Sequence, residues 1–345
     1  MRTLVISDLH LGTRPGHDVL QRPAAQARLF AALDGVDRLV LLGDALELTT
    51  RNARRATARA EPVVRAIGQR LGPDREVIVV PGNHDAVLVR AWALAQGPRL
   101  APSTAVDPGA SPALEWLLAC LAPARTRVSY PGVWLGERVW ATHGHYLDRH
   151  LLPESSFGIP RGRLGRSVPG TALPMEYERG RRAGPRSRAS DSLGARLRAR
   201  PVATVLESAA GALRHAAMPN LPRLMMRGGL APVTATVIDT QMRHASIPAM
   251  AHVVRRLGLD ADWVLFGHVH RRGPIGDEPW PVLGRGAPRL LNTGSWVFDP
   301  LLVDRATPPH PYWPGGAVVL EDGRPPRSVG LLDDLSAEDL RPPRA

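Results

Sequence analysis

The chain has 345 residues, with 44 basic residues against 32 acids and a formal net charge of +12. That length excludes a small stapled scaffold and implies one large core with an insertion, or two domains; the single cysteine, Cys120, excludes an internal disulfide and sits on an apolar stretch that reads as core. No apolar run approaches the roughly eighteen residues of a membrane span, and no basic segment precedes a long apolar one at the start, so the expectation is a cytoplasmic protein without a signal peptide or transmembrane segment.

In chain order, short runs rich in Val, Ile and Leu close on polar clusters. TLVISDLHLG ends on Asp8 and His10, and RLVLLGDALE on Asp44. EVIVVPGNHD ends on Asn83, His84 and Asp85, RVWATHGHY on His143 and His145, and DWVLFGHVH on His268 and His270. Runs this short, closed by glycine, predict buried strands. Between them AAQARLFAAL, ARAEPVVRAIGQRL, VLVRAWALA and ALEWLLACLA have helical spacing. Strand alternating with helix predicts an α/β fold with largely parallel sheet, in which functional groups gather beyond the carboxyl ends of the strands.

The pattern breaks after His145. Residues 146–245 predict an Arg-rich, partly helical insertion, a lid or cap, with VATVLESAAGALRHAAM as its clearest helical stretch. Residues 161–200 hold eleven arginines against Glu176, Glu178 and Asp191. They read either as a solvated surface or as an anion-binding face, because every basic residue of the chain is arginine, beside abundant Ala, Gly and Pro, as a GC-rich coding sequence produces without any partner. RLLNTGSWV and GAVVLED predict closing strands, so residues 1–145 and 246–322 form the core and residues 323–345 a weakly ordered tail.

Each cluster alone is common by chance; the ordered set Asp8-Leu-His10, Gly43-Asp44, Gly82-Asn83-His84-Asp85, His143-Gly144 and Gly267-His268-Val269-His270 is not. Imidazoles with a few oxygens suit Mn, Fe, Zn, Ni or Co better than Ca or Mg, and a shared pair of such ions needs a bridging carboxylate, for which Asp44 is suited. The set resembles the calcineurin-like metallophosphoesterase superfamily. The resemblance implies a four-layer α-β-β-α sandwich of two mixed sheets. It implies two divalent transition ions, manganese foremost, one held by Asp8, His10 and His270, the other by Asn83, His143 and His268, with Asp44 between them. It also implies attack on a phosphodiester or pyrophosphate by a hydroxide bridging the ions. His84, next to a ligand, is placed to protonate the leaving oxygen, and Asp85 either orients His84 or caps the following helix. His145 is expected behind the ligands or facing substrate, Tyr146, Asp148 and His150 are weaker candidates for the site, Asn292 and Ser295 weaker still for phosphate, and His215, His244 and His252 read as surface or packing residues.

DLHLG followed by GDALE is similar to the UDP-2,3-diacylglucosamine hydrolase branch, which implies a nucleotide-linked or lipid-linked substrate and peripheral membrane contact. His84 stands where familiar members of that branch have arginine, so the expectation is a related phosphodiester or pyrophosphate hydrolase. Two alternatives stay open. A repair-type nuclease of the same superfamily would use the arginines on a nucleic-acid backbone, although only 75 residues follow His270. A non-catalytic scaffold would have dropped ligands that are all present here.

Overall fold

The computed structural model describes residues 1–345 except 14–16, 50–52, 151–169, 181–245, 282, 284–285 and 342–345. The predicted strands form as read: β1 (Arg2–Ile6), β2 (Arg38–Leu42), β3 (Glu76–Val80), β7 (Val139–Thr142), β8 (Trp263–Phe266), β9 (Arg289–Asn292) and β10 (Gly316–Glu321). Four strands went unread: β4 (Thr104–Ala105), β5 (Arg125–Tyr130), β6 (Gly132–Gly136) and β11 (Arg327–Gly330). The seven-stranded sheet runs β11-β10-β1-β2-β3-β5-β4 and the four-stranded sheet β6-β7-β8-β9. β1, β2, β3 and β5 are mutually parallel, as are β7, β8 and β9; antiparallel strands form both edges of the larger sheet and the β6 edge of the smaller one, whose other edge is the parallel β9.

Alternation explains the layering. Leu4, Ile6, Leu39, Leu41, Val77 and Val79 face helices α1 (Pro23–Asp34), α2 (Ala53–Leu71) and α4 (Pro112–Leu121), where Cys120 is buried as expected. Val5, Val40, Leu42, Ile78 and Val80 point the other way, onto Val133, Ala141, Leu265 and Leu291 of the second sheet. The outer face of that sheet, with Trp140, Val264 and Phe266, packs under α5 (Pro174–Gly180) and α6 (Ile247–Arg256). Both sheets are therefore covered on both faces, giving the expected helix–sheet–sheet–helix order. The short α3 (Arg90–Gln96) follows the third strand tip.

The tail corrects one expectation. β11 pairs with β10, so residues 327–330 complete the first sheet, and Leu332 and Leu340 beyond it are fully buried in the core under its helices rather than frayed. Polar and arginine-rich spelling hid an edge strand with only one apolar face to bury. Of the predicted insertion, residues 146–150 form a 3-10 turn and 170–180 include α5. The helical stretch at 202–218, His215, His244 and most of the arginine-rich segment lie outside the described residues.

Candidate metal centre

Parallel neighbours deliver their carboxyl ends to one place. Asp8 and His10 follow β1, Asp44 follows β2, Asn83 and His84 follow β3, His143 follows β7, and His268 and His270 follow β8. Backbone bonds lace these tips together: Asp8 N to Gly43 O at 3.0 Å, His10 N to Asp44 O at 2.8 Å, and Gly267 N to His143 O at 2.9 Å. The sheets are tied across the site by His268 N donating to Asp8 Oδ2 at 3.0 Å and His143 Nδ1 donating to Leu42 O at 3.1 Å.

The backbone is strained at these residues. Among the described residues, the non-glycine positions with positive φ are Asp8, His10, Asp44, His268 and His270, at 53°, 45°, 51°, 69° and 56°. Each such conformation costs on the order of 1–3 kcal/mol and persists where the surroundings fix it, most often at a functional site. Two of the motif glycines are explained by close approach. A Cβ on Gly82 would stand 2.3 Å from Asp44 Oδ1, and one on Gly267 would stand 2.4 Å from Asp8 Oδ2.

The donor atoms converge. Asp8, His10 and His270 offer ligand atoms within 4.8 Å of one another, as do Asp44, His143 and His268, and a third such group joins His10 and Asp44 to His84. His10 Nε2 and His270 Nε2 are 3.2 Å apart, His143 Nε2 is 3.1 Å from Asp44 Oδ2 and 3.0 Å from Asn83 Oδ1, and His270 Nε2 is 3.2 Å from Asp8 Oδ1. Asp8 Oδ2 accepts from Ser7 Oγ and His268 N, whereas the fully buried Oδ1 accepts no well-aligned hydrogen bond. Facing imidazole nitrogens and an orphaned buried carboxylate oxygen repel unless positive charge lies between them, so the residues present fit divalent cations. Burial pushes the Asp8 carboxyl up, but His270 and His143 outweigh it and hold it at about 2. Burial likewise opposes ionisation of Asp44, which His143, His84 and His10 hold well below the usual carboxylate range. Desolvation lowers His143, yet Asp44 and Asp8 lift it to about 9.

His84 stands beside this cluster with its side chain 32% exposed, and its backbone N–H donates to Asp44 Oδ1 at 2.8 Å. The carboxylate on its ring is Glu47, whose Oε2 lies 2.8 Å from His84 Nδ1 and 3.3 Å from His10 Nδ1. Burial resists ionisation of Glu47, but His10 and His84 hold it far below the ordinary range. The expectation that Asp85 orients His84 or caps the next helix is corrected. Fully buried, Asp85 accepts from Gly82 N at 2.6 Å and from Ala45 N at 2.9 Å, and it makes no side-chain cap. Its carboxylate clamps the second and third strand tips together, and desolvation, then Asp44, raises it to about 6.

The other candidates separate. His145 is buried beside the ligand candidate His143, their ring centroids 5.6 Å apart, and lies 3.4 Å from Tyr130 OH; Tyr146 and His150 are buried against α5. Asp148 does reach the cluster, 2.9 Å from His268 Nε2. Asn292 is spent on the loop it pins, donating to Gly267 O at 2.7 Å and accepting from Gly294 N at 2.8 Å, and Ser295 is buried. His252, on α6, stacks on His150 as a packing residue. Sequence reasoning missed Glu47; its signal was a second acid three residues beyond Asp44 in GDALE.

Residues 1–159 match the family model for calcineurin-like phosphoesterases. Among curated proteins, none matches the chain.

Proposed function

We propose that the chain, whose residues 1–159 match the calcineurin-like phosphoesterase family model, is a phosphoesterase of that kind and hydrolyses a phosphodiester or pyrophosphate bond with two divalent ions, manganese foremost. The observation that supports this most is the meeting of Asp8, His10, Asp44, His143, His268 and His270 in overlapping donor groups, with His84 beside them on the Glu47 carboxylate that also meets His10. Asp8, His10 and His270 would hold one ion and Asn83, His143 and His268 the other, with Asp44 shared. Ions so held supply Lewis acidity toward phosphoryl oxygens and make water a better nucleophile near neutral pH. His143, with Nδ1 donating to Leu42 O, keeps Nε2 as the coordinating atom. Glu47 does the same for His10 and, through its other contact, aims His84. From there His84 can pass a proton to the departing oxygen, which a poor leaving group requires.

The substrate in this reading is a nucleotide-linked or lipid-linked phosphate, as the likeness of DLHLG and GDALE to the UDP-2,3-diacylglucosamine hydrolase branch suggests. No helix among the described residues is long and apolar enough to cross a membrane. The test is hydrolysis of bis(p-nitrophenyl) phosphate by manganese-loaded protein, alongside UDP-sugar, CDP-lipid and single-stranded DNA substrates. Turnover of a nucleotide-linked pyrophosphate supports the proposal. Preference for DNA with steep salt inhibition points to a nuclease, and bound metal without turnover on any of them points to a scaffold.

A further inference from the structure

We propose that Asp148 is a positioning residue for His268, and that helix α5 of the insertion holds Asp148 in place; the inference rests on the metal-centre reading above. Asp148 Oδ1 lies 2.9 Å from His268 Nε2. A nitrogen that donates to a carboxylate carries the ring proton, which leaves Nδ1 of His268 with the lone pair for an ion. Two of the other three ligand histidines show the same device with different acceptors: Leu42 O for His143 and Glu47 for His10. His268 needs the restraint, since its backbone sits at φ 69° and its ring meets His143 edge-on at 5.2 Å between centroids. A free rotation there would move a donor atom out of reach.

Asp148 lies on the turn His145–His150, and α5 grips that turn on both sides of it. Tyr146 OH donates to Glu178 Oε1 at 2.6 Å, and Tyr130 OH donates to the same oxygen at 2.5 Å. On the far side, His150 Nε2 and Tyr177 OH are 2.8 Å apart, and Arg149 donates to Glu176 O. Tyr146 and Tyr177 stack at 4.6 Å with 5° between their planes. Buried, satisfied networks of this kind rigidify what they hold. The first described helix of the insertion therefore sets the carboxylate that sets a metal ligand, a role distinct from covering substrate.

The experiment uses the full chain loaded with Co(II), read by metal content, by loss of metal to a graded chelator, and by the Co(II) visible spectrum. Partners of this kind change metal affinity by about 10- to 100-fold when removed. Asp148→Ala should give up one of two ions at correspondingly lower chelator concentration, with an altered spectrum. Asp148→Asn, nearly isosteric and still an acceptor, should fall between it and the parent and keeps the test alive if the alanine variant does not fold. The double variant Tyr177→Phe/Glu178→Gln should loosen the same ion by a smaller factor. Parent protein holding two ions while folded Asp148→Ala holds both as tightly, or with an unchanged spectrum and only a lower melting temperature, overturns the inference alone. A parent chain that binds no metal overturns the metal-centre reading, and this inference with it. Unaltered metal release in the double variant overturns the part assigned to α5.

Discussion

Glu47→Ala asks whether His84 works as a proton donor that Glu47 aims. Glu47 Oε2 lies 2.8 Å from His84 Nδ1, and a hydrogen bond to a charged partner is worth about 1.5–3 kcal/mol. At about 1.4 kcal/mol per decade of rate, complete loss of an aimed, protonated ring would cost roughly 10- to 150-fold. The His84 side chain is 32% exposed, so water replaces part of the lost bond and the low end is expected, about tenfold. The loss should depend on the leaving group. Across aryl and alkyl phosphodiesters, kcat/KM should fall by that factor where the leaving oxygen needs a proton, and barely at all for p-nitrophenolate. Glu47 also touches His10, at 3.3 Å, so the assay must run at saturating metal with ion content checked. A double-mutant cycle isolates the route: in a His84→Ala background, Glu47→Ala should cost almost nothing further. Equal losses on both substrate classes, or effects that multiply in the double variant, would refute the dyad.

Asp44→Asn keeps an acceptor for the His84 N–H and a residue type that tolerates φ 51°, but it removes the shared charge. Ion content by elemental analysis should fall from two to one or none, with diester hydrolysis dropping to background in protein whose circular dichroism is unchanged. At His270, φ 56° reverses the ordinary ranking of glycine and alanine. His270→Gly should be more stable than His270→Ala by about 1 kcal/mol in urea denaturation with chelator present, whereas alanine ahead of glycine would show that the position is not strained. Asp18, buried, is raised by desolvation to about 6, with the Gln21 side chain and the Leu20 backbone N–H opposing. A folded value above the unfolded 3.8 means that the folded state holds the proton longer, so stability falls as pH rises from about 4 to about 6. The span corresponds to about 3 kcal/mol, and Asp18→Asn should remove that slope from the pH dependence of thermal unfolding.

How far the sequence could be read follows from what each residue answers to. β1, β2 and β3 are buried on both faces, so nearly every position had to be aliphatic, and the tips carry Asp, His and Asn, donor types suited to a transition ion. Both demands are local and leave local traces. β5, spelled RTRVSY, exposes its first three residues and buries only the last three, and β11 buries none fully, so neither writes an apolar run. The parts of the site that went unread answer to distant partners instead. Nothing in GNHD distinguishes an acid that orients its neighbour from one that clamps Gly82 and Ala45, because that choice depends on how far β2 lies from β3. Asp148 is separated from His268 by 120 residues, and it can act on that histidine only because β7 and β8 pair in parallel and set the turn after one beside the tip of the other. Metal ligands are dictated by chemistry that the sequence must spell out, whereas the groups that aim them are dictated by packing, and many carboxylates elsewhere in the chain have the same local spelling. Glu47 sits at the boundary between the two: its spacing from Asp44 is visible in GDALE, but only the meeting of the first and third strand tips gives it two imidazoles to hold.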